Sequence, residues 1–341
     1  MSNFSKENSI AAISKLGNYL LQPDEQLQVL IDGAKHKNGW FTAHEVQKAI
    51  IANGKMLNEI DLTNWLSEYE IYQTIIKKIG LILAGNLPLV GFHDILAVLL
   101  TGNIALIKLS SQDDNLIPFL LKKLAEIEPA FENQIKFVDR LVDFNAVIAT
   151  GSNNSSRYFD YYFSKVPNII RKNRNSIALL SGSETKEELN LLGKDIFDYY
   201  GLGCRNVSKL LVPKDYNFIP FFEAIEPFNE VLNHHKYQNN YDYNKSIYLI
   251  NKNKHFDNGF LLVAESEKLT SPLSAIFYQE YETHQNAVEY INNEQKNIQV
   301  VVTNMNIDFE AAKVMLGESQ RPKLWDYADG VDTIAFLTAL N

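Results

Sequence analysis

The chain has 341 residues, 46% of them hydrophobic and 21% charged, with a formal net charge of −9. That length exceeds one ordinary core, and the composition excludes a disordered or fibrous chain. The acidic balance argues against a nucleic-acid partner, because basic residues gather only in short clusters: Lys77-Lys78, Lys122-Lys123 and Arg171 to Arg174. These clusters read as solvated helix ends and loops.

Met1 to Asn8 is polar and carries no targeting signal, so a cytoplasmic protein is expected. The longest apolar stretches, around Leu81–Ala84 and Ile95–Leu100, are too short to span a bilayer. A single cysteine leaves no internal disulfide framework.

In chain order, the first 75 or so residues read as helical. Ile10, Ile13, Leu16 and Leu20 recur at helical spacing; Thr42 and Glu45 form a capping-box pair ahead of Val46, Ile50 and Ile51; Leu62, Trp65 and Leu66 continue the pattern. Strands and helices then alternate. Ile79–Ala84 is a strand broken by Gly85-Asn86-Leu87-Pro88, and a helix follows through Leu100 with Pro88 in its first turn. Ile104–Leu109, Ile135–Val138 and Ala146–Ala149 read as strands, and Leu116–Ile127 and Ser155–Phe163 as helices. After residue 175 come strands at Ser176–Leu180, Val207–Val212, Phe260–Ala264, Ala275–Tyr278 and Ile298–Val302, with helices at Thr185–Tyr200 and near Asn286–Asn292. The Asn-, Tyr- and Lys-rich stretch Asn233–Lys254 reads as an exposed excursion. Such alternation predicts an α/β protein with two units, each built on a largely parallel sheet, and a junction near residue 175.

Four places could carry chemistry. Cys204 sits in Gly201-Leu202-Gly203-Cys204-Arg205-Asn206, between a helix and a strand. A lone cysteine is more often an inert buried residue; against that, the flanking glycines permit close substrate approach and Arg205 favours thiolate. Asn86 follows the first strand, where its amide could donate to an oxyanion or simply cap a helix. Lys108, with Ser110 and Ser111 behind it, ends the second strand and could bind a cofactor ribose or phosphate, or be a solvated terminus. Thr150-Gly151-Ser152 joins a strand to a helix, a place for phosphate on helix amides, although no G-x-G-x-x-G is present.

The order of these motifs resembles that of aldehyde dehydrogenases, and in particular the acyl-CoA reductase branch (LuxC-like). The resemblance covers about residues 35 to 341, including Gly317-Glu318-Ser319-Gln320-Arg321-Pro322 and Tyr327-Ala328-Asp329-Gly330-Val331-Asp332-Thr333. It implies an aldehyde dehydrogenase-like fold: N-terminal helices and a Rossmann-like dinucleotide domain over 1–175, a catalytic domain over 176–325, and a segment 326–341 packing back on the cofactor domain. It implies Cys204 as nucleophile and Asn86, with the Cys204 N–H, as oxyanion hole. Lys108 would bind the adenosine ribose, and Thr150, Gly151 and Ser152 would lie beside the cofactor. Relatives that prefer NAD often carry a glutamate where Ser111 stands, so NADPH is the expected cofactor, with NADH the alternative.

Hydrolytic members carry a water-activating glutamate just before the strand equivalent to Ser176–Leu180. Here Arg171-Lys172-Asn173-Arg174-Asn175 has no carboxylate, and Glu184 lies beyond the strand. The expected activity is therefore reduction of an acyl-CoA or acyl-carrier thioester. A hydrolytic aldehyde dehydrogenase and a non-catalytic scaffold are the alternatives, and a homo-oligomer is left open. His234-His235 lacks the company of a metal site, so no metal is expected. Glu265, Glu267 and Glu280 could touch a nicotinamide ribose but read mostly as surface carboxylates. Trp40, Trp65 and Trp325 are expected in the core.

Overall fold

The computed structural model describes residues 5–71, 75–151 and 153–340, the side chains of 153 and 154 excepted. The chain divides into two compact units, residues 1–173 with 322–341 and residues 174–321.

In the first unit, α1 (Lys6–Leu21), α2 (Glu25–Gly33), α3 (Ala43–Met56) and α4 (Glu59–Ser67) bury the helically spaced residues Ile10, Ile13, Leu16, Leu20, Val46, Ile50, Leu62 and Leu66. Each of the four starts on a side-chain oxygen that accepts the backbone N–H three residues on, from Ser5, Asp24, Thr42 and Asn58 respectively. Next come β1 (Lys78–Ile82), α5 (Phe92–Leu100), β2 (Ile104–Lys108), α6 (Leu116–Ile127), β3 (Ile135–Phe137), β4 (Ala146–Thr150), α7 (Asn153–Phe163) and β5 (Asn168–Arg171). The strands form one parallel sheet in the order β3-β2-β1-β4-β5. β1 is central, and Ile79 and Leu81 are fully buried.

Helix α5 begins four residues later than Pro88 suggests. Leu89 takes a left-handed φ of 60°, which helical backbone cannot include, and its N–H donates to Asp113 Oδ2 at 2.9 Å. The turn from β1 to α5 is thus tied to the loop after β2. Burial, with Asp114 adding a like charge, pushes the Asp113 carboxyl up to about 6 against the pull of the Leu89 N–H. A carboxyl raised on folding contributes stability that is full below its unfolded value and lost as pH rises through about 6. Between pH 5 and 7 the native protein should therefore lose about 1 kcal/mol more stability than Asp113→Asn, measured by urea unfolding at each pH.

The second unit holds β6 (Asn175–Leu179), α8 (Lys186–Phe197), β7 (Val207–Pro213), α9 (Ile219–Ile225), α10 (His235–Ile250), β8 (Phe256–Asp257), β9 (Leu262–Glu265), β10 (Ala275–Tyr281), α11 (His284–Glu294), β11 (Ile298–Val302) and β12 (Lys313–Val314). Its sheet runs β12-β11-β6-β7-β10-β9-β8, parallel except for β8 on β9. The stretch Asn233–Lys254 is mostly helix and not an excursion. Tyr237, Tyr241, Asn244 and Tyr248 form a buried stripe, and Tyr241 and Tyr248 pack on Leu262, Ala264, Ala275 and Phe277. Between β9 and β10 the chain crosses β7 and β6 without a helix. It is held there by Lys209 Nζ to the Glu267 carbonyl (3.0 Å), Ser208 Oγ to the Leu269 carbonyl (3.1 Å) and Asn175 Nδ2 to Thr270 Oγ1 (2.7 Å).

Residues 322–340 complete the first unit, with α12 (Thr333–Thr338) against α5 and Leu324, Ile334 and Leu337 fully buried in its core. Arg171, expected in a solvated cluster, is buried at the end of β5. Its Nε donates to Asp94 Oδ2 at 3.1 Å, one terminal nitrogen reaches Asp94 Oδ1 and Thr333 Oγ1, and the other the Ala328 carbonyl at 2.6 Å. Trp65 is buried and Trp40 half-buried, but Trp325 is 44% exposed and lies beside Lys323. The preceding residue, Leu324, takes the core position instead.

Candidate active site

Lys108, Asn86 and Thr150-Gly151 lie at the carboxyl ends of β2, β1 and β4, three adjacent strands of the first sheet. Open parallel sheets bind ligands at that edge. The backbone there is drawn tight. A Cβ on Gly85 would stand 2.4 Å from Ser110 Oγ, so only glycine lets the turns after β1 and β2 meet. Asn38 Nδ2 donates to the Gly85 carbonyl at 3.1 Å from a buried position, which fixes the peptide that presents the exposed Asn86.

Lys108 is exposed, and its Nζ donates to the Asp139 carbonyl beyond β3 at 3.0 Å. Ser111 is exposed and Ser110 half-buried, its hydroxyl accepting the Gln112 N–H. At Gly151 a Cβ would fall 2.8 Å from the Phe159 ring and 2.9 Å from Ser155 Cβ, so this glycine lets β4 run directly onto α7. Thr150 and Gly151 are half-buried, and Ser152 lies outside the described residues.

Cys204 belongs to the second unit, exposed in the turn ahead of β7. Helix α8 stops at Phe197, three residues short of expectation. Tyr199, Tyr200 and Gly201 follow with φ of 54°, 57° and 77°, a left-handed run that ends the helix and turns the chain toward β7. A non-glycine residue in that region costs about 1–3 kcal/mol, and such strain persists only where neighbours over-determine it. Here His234, buried, lies 4.4 Å from the Tyr200 ring, centroid to centroid.

Asn206 is the clamp. Its Oδ1 accepts the Gly203 N–H at 2.8 Å, while Nδ2 donates to the carbonyls of Asp195 (3.1 Å) and Asp198 (2.8 Å) at the end of α8. Ser176 Oγ on β6 donates to the Cys204 carbonyl at 2.9 Å. Arg205 Nε donates to the Ser319 carbonyl. A bulge sets two residues of β7 against one step of β6 just past this turn, as Ser176 pairs with Val207 but Ile177 with Lys209. Asn206→Ala would strip partners from several buried carbonyls and release Gly203. We expect a loss of about 1–3 kcal/mol in thermal unfolding, and slowing of any Cys204-dependent rate by about tenfold or more.

Glu184 is engaged elsewhere. Its carboxylate accepts the Ser181 N–H, the Ser181 hydroxyl and the Gly182 N–H. Cys204 precedes Val207, which pairs with the first residues of β6, whereas Glu184 follows its last. Roughly 13 Å of parallel strand separates those ends. Glu265, Glu267 and Glu280 are exposed. Among the described residues, no group of three or more His, Cys, Asp or Glu could hold a metal ion, and no helix is long and apolar enough to cross a membrane.

The sequence reading missed Asn38, Asp113, Asp195 and Asn206. Asn38 left a local trace in the turn dipeptide Asn38-Gly39; Asp113 and Asp195, and Asn206 beyond its local bond to Gly203, act on backbone groups brought near by folding.

Residues 3–158 match the family described as Acyl-CoA reductase (LuxC). No curated protein sequence matches the chain. Among solved structures, aldehyde dehydrogenase 21 from Physcomitrella patens, in complex with the reaction product succinate, superposes with a TM-score of 0.70 at 13% identity, covering 99% of this chain and 85% of its own. An NAD-dependent aldehyde dehydrogenase from Sinorhizobium meliloti gives 0.65 at 11% identity, over 92% and 74% of the chains. A Mycobacterium tuberculosis aldehyde dehydrogenase complexed with NAD+ gives 0.62 at 12%, over 92% and 78%. The protein therefore has the aldehyde dehydrogenase fold throughout and is LuxC-like in sequence over residues 3–158.

Proposed function

We propose that this protein is an acyl-CoA reductase that converts an acyl thioester to an aldehyde through an acyl group carried on Cys204. The single observation that supports it most is the setting of the nucleophile. Cys204 is exposed on a turn pinned by Asn206, Ser176 and Arg205, and the only carboxylate considered as a water-activating base, Glu184, stands at the opposite end of β6 with its oxygens engaged. Acyl transfer to a thiol without an adjacent base for water favours thioester chemistry over hydrolysis.

The carboxyl ends of β2, β1 and β4, which carry Lys108, Gly85 and Thr150-Gly151 in that order across the sheet, fit a nicotinamide dinucleotide. When bound, that cofactor would supply the hydride. Lys108 would hold its ribose, Thr150, Gly151, Ser110 and Ser111 would flank it, and the absence of a carboxylate at Ser111 favours NADPH over NADH. The first unit would be the dinucleotide-binding domain and the second the catalytic one.

Cys204 as thiolate attacks the thioester carbonyl, forming a C–S bond. Asn86 Nδ2 and the Cys204 N–H hold the resulting oxyanion until it collapses and the CoA sulfur leaves with the electron pair. Once the acyl carbon is reduced, the Cys204 sulfur departs as thiolate, freeing the aldehyde.

The test is NADPH oxidation with a panel of acyl-CoAs, scoring aldehyde and free CoA together. Their stoichiometric appearance supports the reading. Carboxylic acid formed from aldehyde and NAD+, without CoA, would replace it with hydrolytic oxidation. Absence of turnover together with no NADPH or NADH binding by calorimetry would point to a scaffold.

A further inference from the structure

Both residues that follow Cys204 are tied to one point in the second unit. Asn206 Nδ2 donates to the backbone carbonyl of Asp195, and Arg205 Nε donates to the carbonyl of Ser319. The Asp195 carboxylate in turn accepts the N–H groups of Gly317 (2.6 Å) and Ser319 (2.9 Å). Asp195 is fully buried on α8, and Ser319 is fully buried beside it. We infer that Asp195 is a positioning residue for Cys204, holding the nucleophile's turn through the Gly317–Ser319 loop and Arg205.

A buried carboxylate is an expensive way to fill space. An apolar side chain of similar size would pack α8 without the desolvation cost that pushes this carboxyl up to about 6. What the carboxylate adds is a pair of charge-assisted hydrogen bonds, shorter and stronger than neutral ones, aimed at two N–H groups of a single loop. They fix that loop, and with it the carbonyl of Ser319 that receives Arg205. Gly317-Glu318-Ser319, prominent in the sequence without an assigned role, thereby gains one.

This inference rests on Cys204 being the nucleophile, but its test does not depend on the reductase reaction. Cys204 is the sole cysteine, so the rate of alkylation by iodoacetamide reports that side chain alone, with no nucleotide or acyl donor present. Asp195→Asn and Arg205→Met, each melting within a few degrees of the native protein, are expected to change the alkylation rate about tenfold, and the double variant by no more than either single, because both cut one chain of contacts. Where the enzyme turns over, kcat should fall with KM for acyl-CoA little changed.

A native alkylation rate in folded Asp195→Asn, or effects that multiply in the double variant, would overturn the inference. If Asp195→Asn does not fold, the same link is read at its other end. An altered rate in Arg205→Met that Arg205→Lys restores supports it, and a native rate in Arg205→Met overturns it. A protein inert toward acyl-CoA yet altered in alkylation would sink the reductase reading and leave this one standing.

Discussion

Cys204→Ala is expected to lower acyl-CoA-dependent NADPH oxidation by at least ~10³-fold, since removing the nucleophile from a covalent mechanism forfeits most of its rate advantage. Binding of NADPH, followed by calorimetry, should stay within about twofold of native, because the proposed cofactor contacts at Lys108, Thr150 and Gly151 involve none of the Cys204 turn. Incubation with acyl-CoA should acylate the native protein on one residue, seen as a mass increase, and leave the variant unmodified. The sole cysteine makes that readout unambiguous. Turnover that survives the substitution would mean that hydride reaches the CoA thioester carbonyl directly, with CoA thiolate leaving and no acyl-enzyme formed, and Cys204 would lose its role.

The largest effect on stability is expected at Arg171. Burial alone would raise the Asp94 carboxyl, but Arg171 beside it, with two hydrogen bonds and further help from Thr333, holds it below the usual carboxylate range. Arg171→Met leaves the buried Asp94 carboxyl without its cation, which typically costs about 3–5 kcal/mol. The loss should appear in urea unfolding of the first unit.

Pairing it with Asp94→Leu should recover much of the loss, since replacing both members of a buried ion pair by apolar groups is often near neutral. The sign with pH follows from a lowered folded value. The contribution of Asp94 is present above its unfolded pKa and lost as pH falls through the folded one, so the native protein should weaken in acid more than the double variant.

Much of the fold was legible because buried parallel strands are continuous apolar runs. Ile104–Lys108 and Ala146–Thr150 stand out for that reason, as do Leu210–Val212 within β7 and Val300–Val302 within β11, and α6 occupies the expected residues. Reading failed where composition masked periodicity. Asn, Tyr and Lys dominate 233–254, yet Tyr237, Tyr241, Asn244 and Tyr248 follow helical spacing, and tyrosine buries a large apolar body behind its hydroxyl. It failed again at β5, a four-residue strand whose last residue, Arg171, finds its partner 77 positions earlier in the chain.

Within the candidate site, Cys204, Asn86, Lys108, Thr150 and Gly151 could be singled out by their order along the chain. Asn206, Asp195 and Asn38 could not, because an asparagine that clamps carbonyls has the same local signature as one on the surface. The partners of Asn206 and Asp195 are set by the packing of α8 and the loops around it, and that of Asn38 by the turn after β1.

The chain leaves the first unit at residue 173 and re-enters it at 322, which has a consequence for biogenesis. During synthesis, all of the second unit emerges from the ribosome before Leu324, Ile334, Leu337 and the Ala328 and Thr333 partners of Arg171 become available. The nascent first unit must therefore wait with its α5 and β5 surfaces open, while the inserted unit already holds every strand of its own sheet. Loss of residues 322–341 would thus act on a unit most of which is made before the inserted one, and leave that unit uncapped.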